Sequence, residues 1–473
     1  MIGVVFVDNL TKSVYNATCA FSNGAFCRDS MTIHLNEHFG YKKLFRFTIP
    51  SIIMVVFTGI YGAVDGVFIA NFLGETPFAA VNLIWPILYL IGAFGFMFGA
   101  GGSALIAKTL GEGNKPRANR LFSLIVYVSF SLGVFISVLG IIFIEPVARL
   151  LGADGVLLEN CILYGRIILI ALPAFMLQME FQSFFIAAEK PTLGLFVTLA
   201  SGVANMVLDL VLVGLLPLGL VGAALATAIS QAIGGFVPII YFFSKNSSLL
   251  RLGATKFEWR PLVQTCFNGC SELMSNISMS FVGMLYNVQL LKVAGEDGVA
   301  AYGVLMYVCM IFIAIFIGYS IGTAPIVSFN YGAGNTDELK NLFKKSLLII
   351  GATSFAMLIF GEVMAAPLSQ MFVGYDPELY AMTVRGFYIF SFSFLFSGIA
   401  IWGSGFFTAL NNGIISAIIS FLRTLVFQSL AVMILPIFFD LDGIWFSIVV
   451  AEVFATVVTA AFLVAKKKKY KYC

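Results

Sequence analysis

The chain has 473 residues, of which 60% are hydrophobic and only 11% charged. Soluble domains hold about 45–50% apolar residues and roughly a quarter charged, so this chain cannot clothe a water-exposed surface and a soluble enzyme is excluded. The net charge is +3 and most basic residues border apolar runs, which leaves no nucleic-acid partner to expect. Seven scattered Cys show no zinc spacing, and the two His, His34 and His38, precede the first apolar run, so no His-based metal or catalytic site lies inside a membrane.

Residues 1–40 form an N-terminal extension, expected to be disordered or partly non-native. Residues 1–30 are mixed polar and unlike a signal peptide. Met31 opens the run Met-Thr-Ile-His-Leu-Asn-Glu-His that leads into a basic stretch, and it is read as the natural start. The alternative is a disordered cytoplasmic tail.

Apolar runs follow at 47–71, 78–107, 118–144, 160–187, 193–217 and 220–244, then at 262–291, 298–328, 341–366, 380–409, 413–437 and 441–465. Each is long enough to cross the hydrocarbon layer as a helix. The expected fold is therefore an all-α integral membrane protein with twelve transmembrane helices in two six-helix lobes. Residues 41–244 make the first lobe, 245–261 a cytoplasmic linker, 262–465 the second lobe and 466–473 a basic cytoplasmic tail. Lys and Arg crowd one set of loops, from Lys42, Lys43 and Arg46 to Lys466–Lys469. The opposite loops hold only Arg149, Arg166, Lys292 and Arg385, with acids such as Glu75, Asp154, Glu296 and Asp376. Both termini are thus expected in the cytoplasm, in a plasma (inner) membrane.

The two halves match at a shift of 221 residues without a gap. Gly74-Glu75 falls on Gly295-Glu296, Gly111-x-Gly113-Asn114 on Gly332-x-Gly334-Asn335, and Leu220-x-Gly222 on Leu441-x-Gly443. Six spans return the chain to its starting side, so the pseudo-two-fold axis runs along the membrane normal, as in parallel-repeat transporters.

Asp65, Glu180, Asp209, Glu272, Glu452 and Arg423 lie inside spans, where a charge costs about 2.5–3.5 kcal/mol and implies a cavity or a partner. At about 1.5 Å of rise per residue, Asp65, Asp209 and Thr227 sit at one level of the first lobe near its outer side, with Asn205 one turn deeper on the face of Asp209. Oxygen ligands of this kind suit Na+, and neighbouring carboxylates can share a proton. The alternative is a hydrogen-bonded network that only joins three spans. Asp65 maps to Tyr286 and Asp209 to Leu430, so the second lobe lacks the acid pair. Glu272, Arg423 and Glu452 lie near the midplane. A Glu272–Arg423 pair could bury its own charge, or Glu272 could bind a cationic substrate, with Tyr286 a second substrate-binding candidate. Glu452 maps to Gln231 and, with Arg423, is read as structural buried charge. Glu180 lies near the cytoplasmic end of its span, where snorkelling or a salt bridge to Lys190 suffices.

The run Tyr61-Gly-Ala-Val-Asp65-Gly-Val-Phe-Ile-Ala-Asn-Phe-Leu-Gly74, the turn Gly111-Glu-Gly-Asn114, the stretch Asn205-Met-Val-Leu-Asp209 and the run Gly222-Ala-Ala-Leu-Ala-Thr227 resemble the multidrug and toxic compound extrusion (MATE) family over about residues 41–465. The resemblance implies an antiporter that expels organic cations in exchange for Na+ or H+. It places the ion-linked site on Asp65, Asn205, Asp209 and Thr227, and a functional Glu at Glu272. Some members pair that Glu with an Asp in span 10, and this chain has no acid there.

The expected activity is export of amphipathic cationic drugs by alternating access, with no cofactor beyond the coupling ion, no metal other than Na+ and no catalytic residue. Nothing marks a helix face for self-association, so a monomer in the lipid bilayer is expected. A lipid-intermediate flippase of the same superfamily is the alternative, and it calls for a basic cavity where these spans offer acids. A membrane-embedded transferase calls for clustered ligands at one interface, which the sequence does not show.

Overall fold

A computed structural model describes residues 33–473. The extension up to residue 32, including the start read at Met31, lies outside the described residues. The first half contains α1 (Tyr41–Leu73), α2 (Glu75–Gly111), α3 (Lys115–Leu150), α4 (Gly155–Ala187), α5 (Pro191–Leu215) and α6 (Gly219–Phe243). The continuous helical stretch Trp259–Gly332 breaks at Gly295, whose φ of 63° and ψ of −151° are non-helical, and so gives α7 (259–294) and α8 (296–332). Then come α9 (Thr336–Val373), α10 (Pro377–Ala409), α11 (Gly413–Ile434) and α12 (Pro436–Tyr470). The described chain is thus an all-α membrane protein of twelve spanning helices in two six-helix lobes, as the apolar runs predict.

The repeat is visible in the backbone. Gly74, at φ 84°, turns the chain between α1 and α2 as Gly295 does between α7 and α8. Both positions need the left-handed region that glycine enters without a Cβ clash. Asn114 accepts from the Arg117 N–H at 3.1 Å to start α3, and Asn335 accepts from the Glu338 N–H at 3.1 Å to start α9. Each cap satisfies a backbone donor that the first helical turn leaves unpaired.

The halves meet on the face that carries the basic loops. A Cβ added to Gly101 of α2 would fall on the Thr265 carbonyl of α7, and one on Gly332 of α8 would fall on the Lys108 carbonyl of α2. A Cβ on Gly318 of α8 would come within 2.5 Å of Ile52 Cα on α1. Backbones approach this closely only where side chains are absent. Toward the acidic face the helices separate, and a Cβ on Gly62, Gly66 or Gly283 would touch nothing within 4 Å. The cleft between the halves therefore opens to the acidic face and is shut at the basic one.

Residues 33–40 reinforce that closure. His34 Nδ1 lies 2.7 Å from Glu189 Oε2, and the Leu35 N–H donates to Glu189 Oε1 at 2.7 Å. Four residues later, His38 Nδ1 lies 2.6 Å from Glu338 Oε2 and the Phe39 N–H donates to Glu338 Oε1 at 3.0 Å. Glu189 follows α4 and Glu338 opens α9, so one short segment ties both halves together. Leu35 and Phe39 are fully buried beneath it.

Candidate functional site

Four helices of the first half converge on one polar pocket. α1 supplies Asp65, α5 supplies Asn205 and Asp209, and α6 supplies Thr227. The Asp65 carboxylate lies against the side chains of Asp209, Thr227 and Asn205. Asp209 is 0% exposed, Asn205 1% and Thr227 6%, while Asp65 is half-buried and forms the open side. The structure thus brings together all four residues that depth along the spans had grouped. Beyond Asp209, α5 widens into a π-helical turn over Leu210–Leu215, in which the Leu216 N–H donates to the Val211 carbonyl at 2.8 Å. Such turns interrupt the regular ladder and recur beside functional residues.

The pocket holds one residue that sequence reasoning missed. Tyr164 of α4 is 0% exposed, and its hydroxyl faces Thr227 and both acids. It lies four residues into the fourth apolar run, at the level of Asp65, so depth could have found it. An uncharged side chain in an aromatic-rich chain carries no other signal. The oxygens face one another without closing into good hydrogen bonds. Asp65 Oδ1, both Asp209 oxygens, both Asn205 polar atoms, Thr227 Oγ1 and the Tyr164 hydroxyl have no partner. No Lys or Arg among the described residues faces either acid. An all-oxygen set with two formal negative charges can take a hard monovalent cation or share a proton.

The second half treats charge differently. Arg423 of α11 donates from Nε to both Glu452 oxygens at 3.0 and 2.9 Å, and its Nη2 lies 2.8 Å from Glu452 Oε1. The partner of Arg423 is therefore Glu452 of the adjacent α12, in place of the Glu272–Arg423 pair. Glu272 stays half-buried in the wall of the cleft, in electrostatic range of Arg423 and of Tyr89 from the opposite half. Tyr286, at the position equivalent to Asp65, is 1% exposed and stacks on Tyr302 with ring centroids 5.1 Å apart. The structure thus sets Tyr286 in a packed interior and does not join it to Glu272.

Glu180 needs a correction. It neither snorkels nor pairs with Lys190: it is 0% exposed and neither carboxylate oxygen has a hydrogen-bond partner. The side chain points into the first lobe toward Ser129 of α3, because α4 is the most enclosed helix of that half. Glu362 of α9 is a further acid within a span, with Oε1 unpartnered, that the sequence reading did not single out.

A family model described as MatE matches residues 50–211 and 273–433, one match in each half. The chain is 27% identical over 426 residues to the multidrug export protein MepA of Staphylococcus haemolyticus (strain JCSC1435), covering 90% of this chain and 93% of that protein. Its backbone superposes with a TM-score of 0.87 on the crystal structure of MATE in complex with MaL6, at 23% identity, over 93% of this chain and 98% of the other. It also superposes with a TM-score of 0.85 on the outward-facing conformation of a multidrug resistance MATE family transporter, at 23% identity, over 91% and 96% of the two chains. The paired family match, falling on the two halves of the repeat, shows that the chain belongs to the MatE family and is a multi-pass membrane transporter.

Proposed function

We propose that the protein exports amphipathic organic cations in exchange for Na+ or H+ by alternating access, without altering its substrate chemically. One observation carries this reading: Asp65 and Asp209 share a pocket with Asn205, Thr227 and Tyr164, with no basic side chain to neutralise them. A buried polar group left unpaired costs about 1–3 kcal/mol, more for a charge, so a pocket of this kind favours whatever cation enters it. The multidrug export activity in the name of the staphylococcal relative supports the substrate class. Glu272, exposed to the cleft, supplies a negative charge for the cationic part of a substrate. Tyr286 serves it from behind the wall of the cleft, by fixing the packing of α7.

The positive-inside rule orients the basic face and both termini toward the cytoplasm of the cell membrane. In that orientation the cleft opens outward, and the closed face is the one that must part to load drug. Residues 41–244 and 262–465 are the two moving bodies, joined by 245–261, and one chain suffices for the cycle. Ion binding at the acid pair biases the lobes against drug binding, and linkage requires that drug weaken ion binding equally. The test is export of a fluorescent cation from proteoliposomes under Na+ and pH gradients imposed separately. Export should follow at least one gradient and lose it in Asp65→Asn. Gradient-driven export by that variant at the wild-type rate would overturn the reading.

A further inference from the structure

Below the acid pair, polar side chains continue through the interior of the first half toward the basic face. On α1 they are Tyr61 and Thr58, one and two turns from Asp65. On α5 they are Ser201 and Thr198, below Asn205. From α4, Gln178 Nε2 donates to the Tyr61 hydroxyl at 3.3 Å and to Ser201 Oγ at 3.2 Å, and Gln182 Nε2 donates to Thr58 Oγ1 at 3.4 Å. Ser201 Oγ donates in turn to the Ser230 carbonyl of α6 at 2.7 Å. At 1.5 Å per residue the row runs about 10–16 Å from the acids. It ends at a cavity of about 10 Å³ lined by Gln178, Gln182, Thr198, Phe185, Gly194 and Gly234. That volume is near the lower bound for a single water, and Gln178 Oε1 is a buried acceptor without a partner.

The repeat makes this row informative. At the equivalent positions the second half has Met279 and Val282 on α7, Ile399 and Gly403 on α10, and Ile419 and Leu422 on α11. Helix packing in this fold therefore does not need polar groups there. The second half places its hydroxyls elsewhere, as in Ser404 and Ser416, which bond one another at 2.9 Å. Only the half with the acid pair has the row. Past the cavity the way is sealed, since Phe185 packs on Phe242 at 5.3 Å and Phe181 stacks on Phe242 at 5.8 Å. An antiporter needs such a seal, because a continuous path would leak.

We propose that this row is a proton path joining Asp65 and Asp209 to the basic face through the body of the first half, separate from the cleft that carries drug. The proposal rests on the reading of the acid pair as the coupling site, and it selects the proton as the coupling ion. One proton leaves the Asp65 carboxyl for a lone pair of the Tyr61 hydroxyl, which releases its own proton to the next hydroxyl or water. Each hydroxyl ends with the proton count it began with, and one proton arrives at the cavity. Gln178 and Gln182 position the relay by donating to its hydroxyls. The seal at Phe181 and Phe185 opens when the basic face parts.

The experiment uses full-length protein in proteoliposomes with a pH dye in the lumen and ethidium as the transported cation. The variants are Thr198→Val and Ser201→Ala, each losing one relay hydroxyl, and Thr198→Ser, which keeps it. Ethidium binding, followed by fluorescence, should match wild type in all three and reports folding. The rate of ethidium-driven proton movement should fall about 100-fold in Thr198→Val and Ser201→Ala, the lower end of what a positioned proton carrier contributes, and recover in Thr198→Ser. Wild-type rates in both hydroxyl-free variants overturn the path. So does a wild-type protein that couples to Na+ without moving protons, although the acid pair then keeps its role. Coupling that survives in Asp65→Asn removes the acid pair itself, whatever Thr198→Val does.

Discussion

The two halves share a backbone and differ in what they bury. Gly74 and Gly295 break the chain in the same way, and Asn114 and Asn335 cap the third helix of each half at the same 3.1 Å. Yet where the second half holds Arg423 and Glu452, the first holds Gly202 and Gln231. Where the first half holds Asp65 and Asp209, the second holds Tyr286 and Leu430. The second half thus closes its charge on itself through a bidentate pair. The first half leaves two acids without a counter-charge, and a Cβ on Gly202 would crowd Phe57 and Tyr61 from the space an Arg would fill. A duplicated fold can therefore separate its tasks. One copy pairs Glu452 with Arg423 and leaves Glu272 to the cleft, a frame without an acid pair, and the other keeps two acids together with no basic side chain beside them.

The largest effect expected from this contrast is structural. Arg423→Leu strands the Glu452 carboxylate, which is 1% exposed, and removing one partner of a buried pair costs about 3–5 kcal/mol. The apparent midpoint of thermal unfolding in detergent should fall accordingly. Adding Glu452→Gln, which copies Gln231, should restore most of it and leave ion-coupled export in place. Loss of coupling in the double variant would mean that the second half is more than a frame. Next in size is Asp209→Asn in the first half. Export driven by the coupling ion should drop about 100-fold, equivalent to about 2.7 kcal/mol of lost stabilisation, with ethidium binding retained. A similar drop on changing Leu430 to Asn would blur the contrast between the halves.

The fold was open to reading because a membrane constrains sequence strongly. Twenty or so consecutive apolar residues per span are hard to mistake, and all twelve runs became helices. The helices overrun the runs at their ends, as in α1 from Tyr41 where the apolar run begins at 47, because a helix does not stop at the hydrocarbon edge. The acid cluster was readable because charge inside a span is rare and depth follows from counting residues. Tyr164, Gln178 and Thr198 were not, since an uncharged polar side chain costs little to insert and one facing a neighbouring helix resembles one facing a pocket. The partner of Arg423 was left open between two acids for a related reason. Depth placed Glu272 and Glu452 at one level, and only helix adjacency, α11 beside α12, selects Glu452.

A smaller effect is expected at the strap on the basic face. Glu338 receives His38 and the Phe39 N–H, and Lys345 holds the Phe39 carbonyl at 2.7 Å. Glu338→Gln keeps the shape but loses the charge that strengthens these bonds, about 1.5–3 kcal/mol for a charged hydrogen bond. Spin labels on Lys115 and Asp337, exposed residues of opposite halves, should report a larger share of separated basic faces. An unchanged distance distribution would show that the glycine contacts between α2, α7 and α8 hold the face shut alone.

The smallest expected change runs in the stabilising direction. Glu180 is the first half's remaining buried acid, and the second half has Ile401 in its place. Neither carboxylate oxygen finds a hydrogen bond, and Ser129 Oγ nearby is also unpartnered. Exchanging buried ionisable groups for well-packed apolar ones is often neutral or stabilising, and a gain of about 1 kcal/mol, the lower end of the usual range, is expected here. Glu180→Ile should therefore raise the unfolding midpoint while Glu180→Gln, which keeps an unpaired amide, gains less. Both variants should retain coupled export if Asp65 and Asp209 carry the coupling. A midpoint that rises together with a loss of coupling would mean that the first half holds a third working acid, and that its charge asymmetry reaches deeper than the pocket around Asp209.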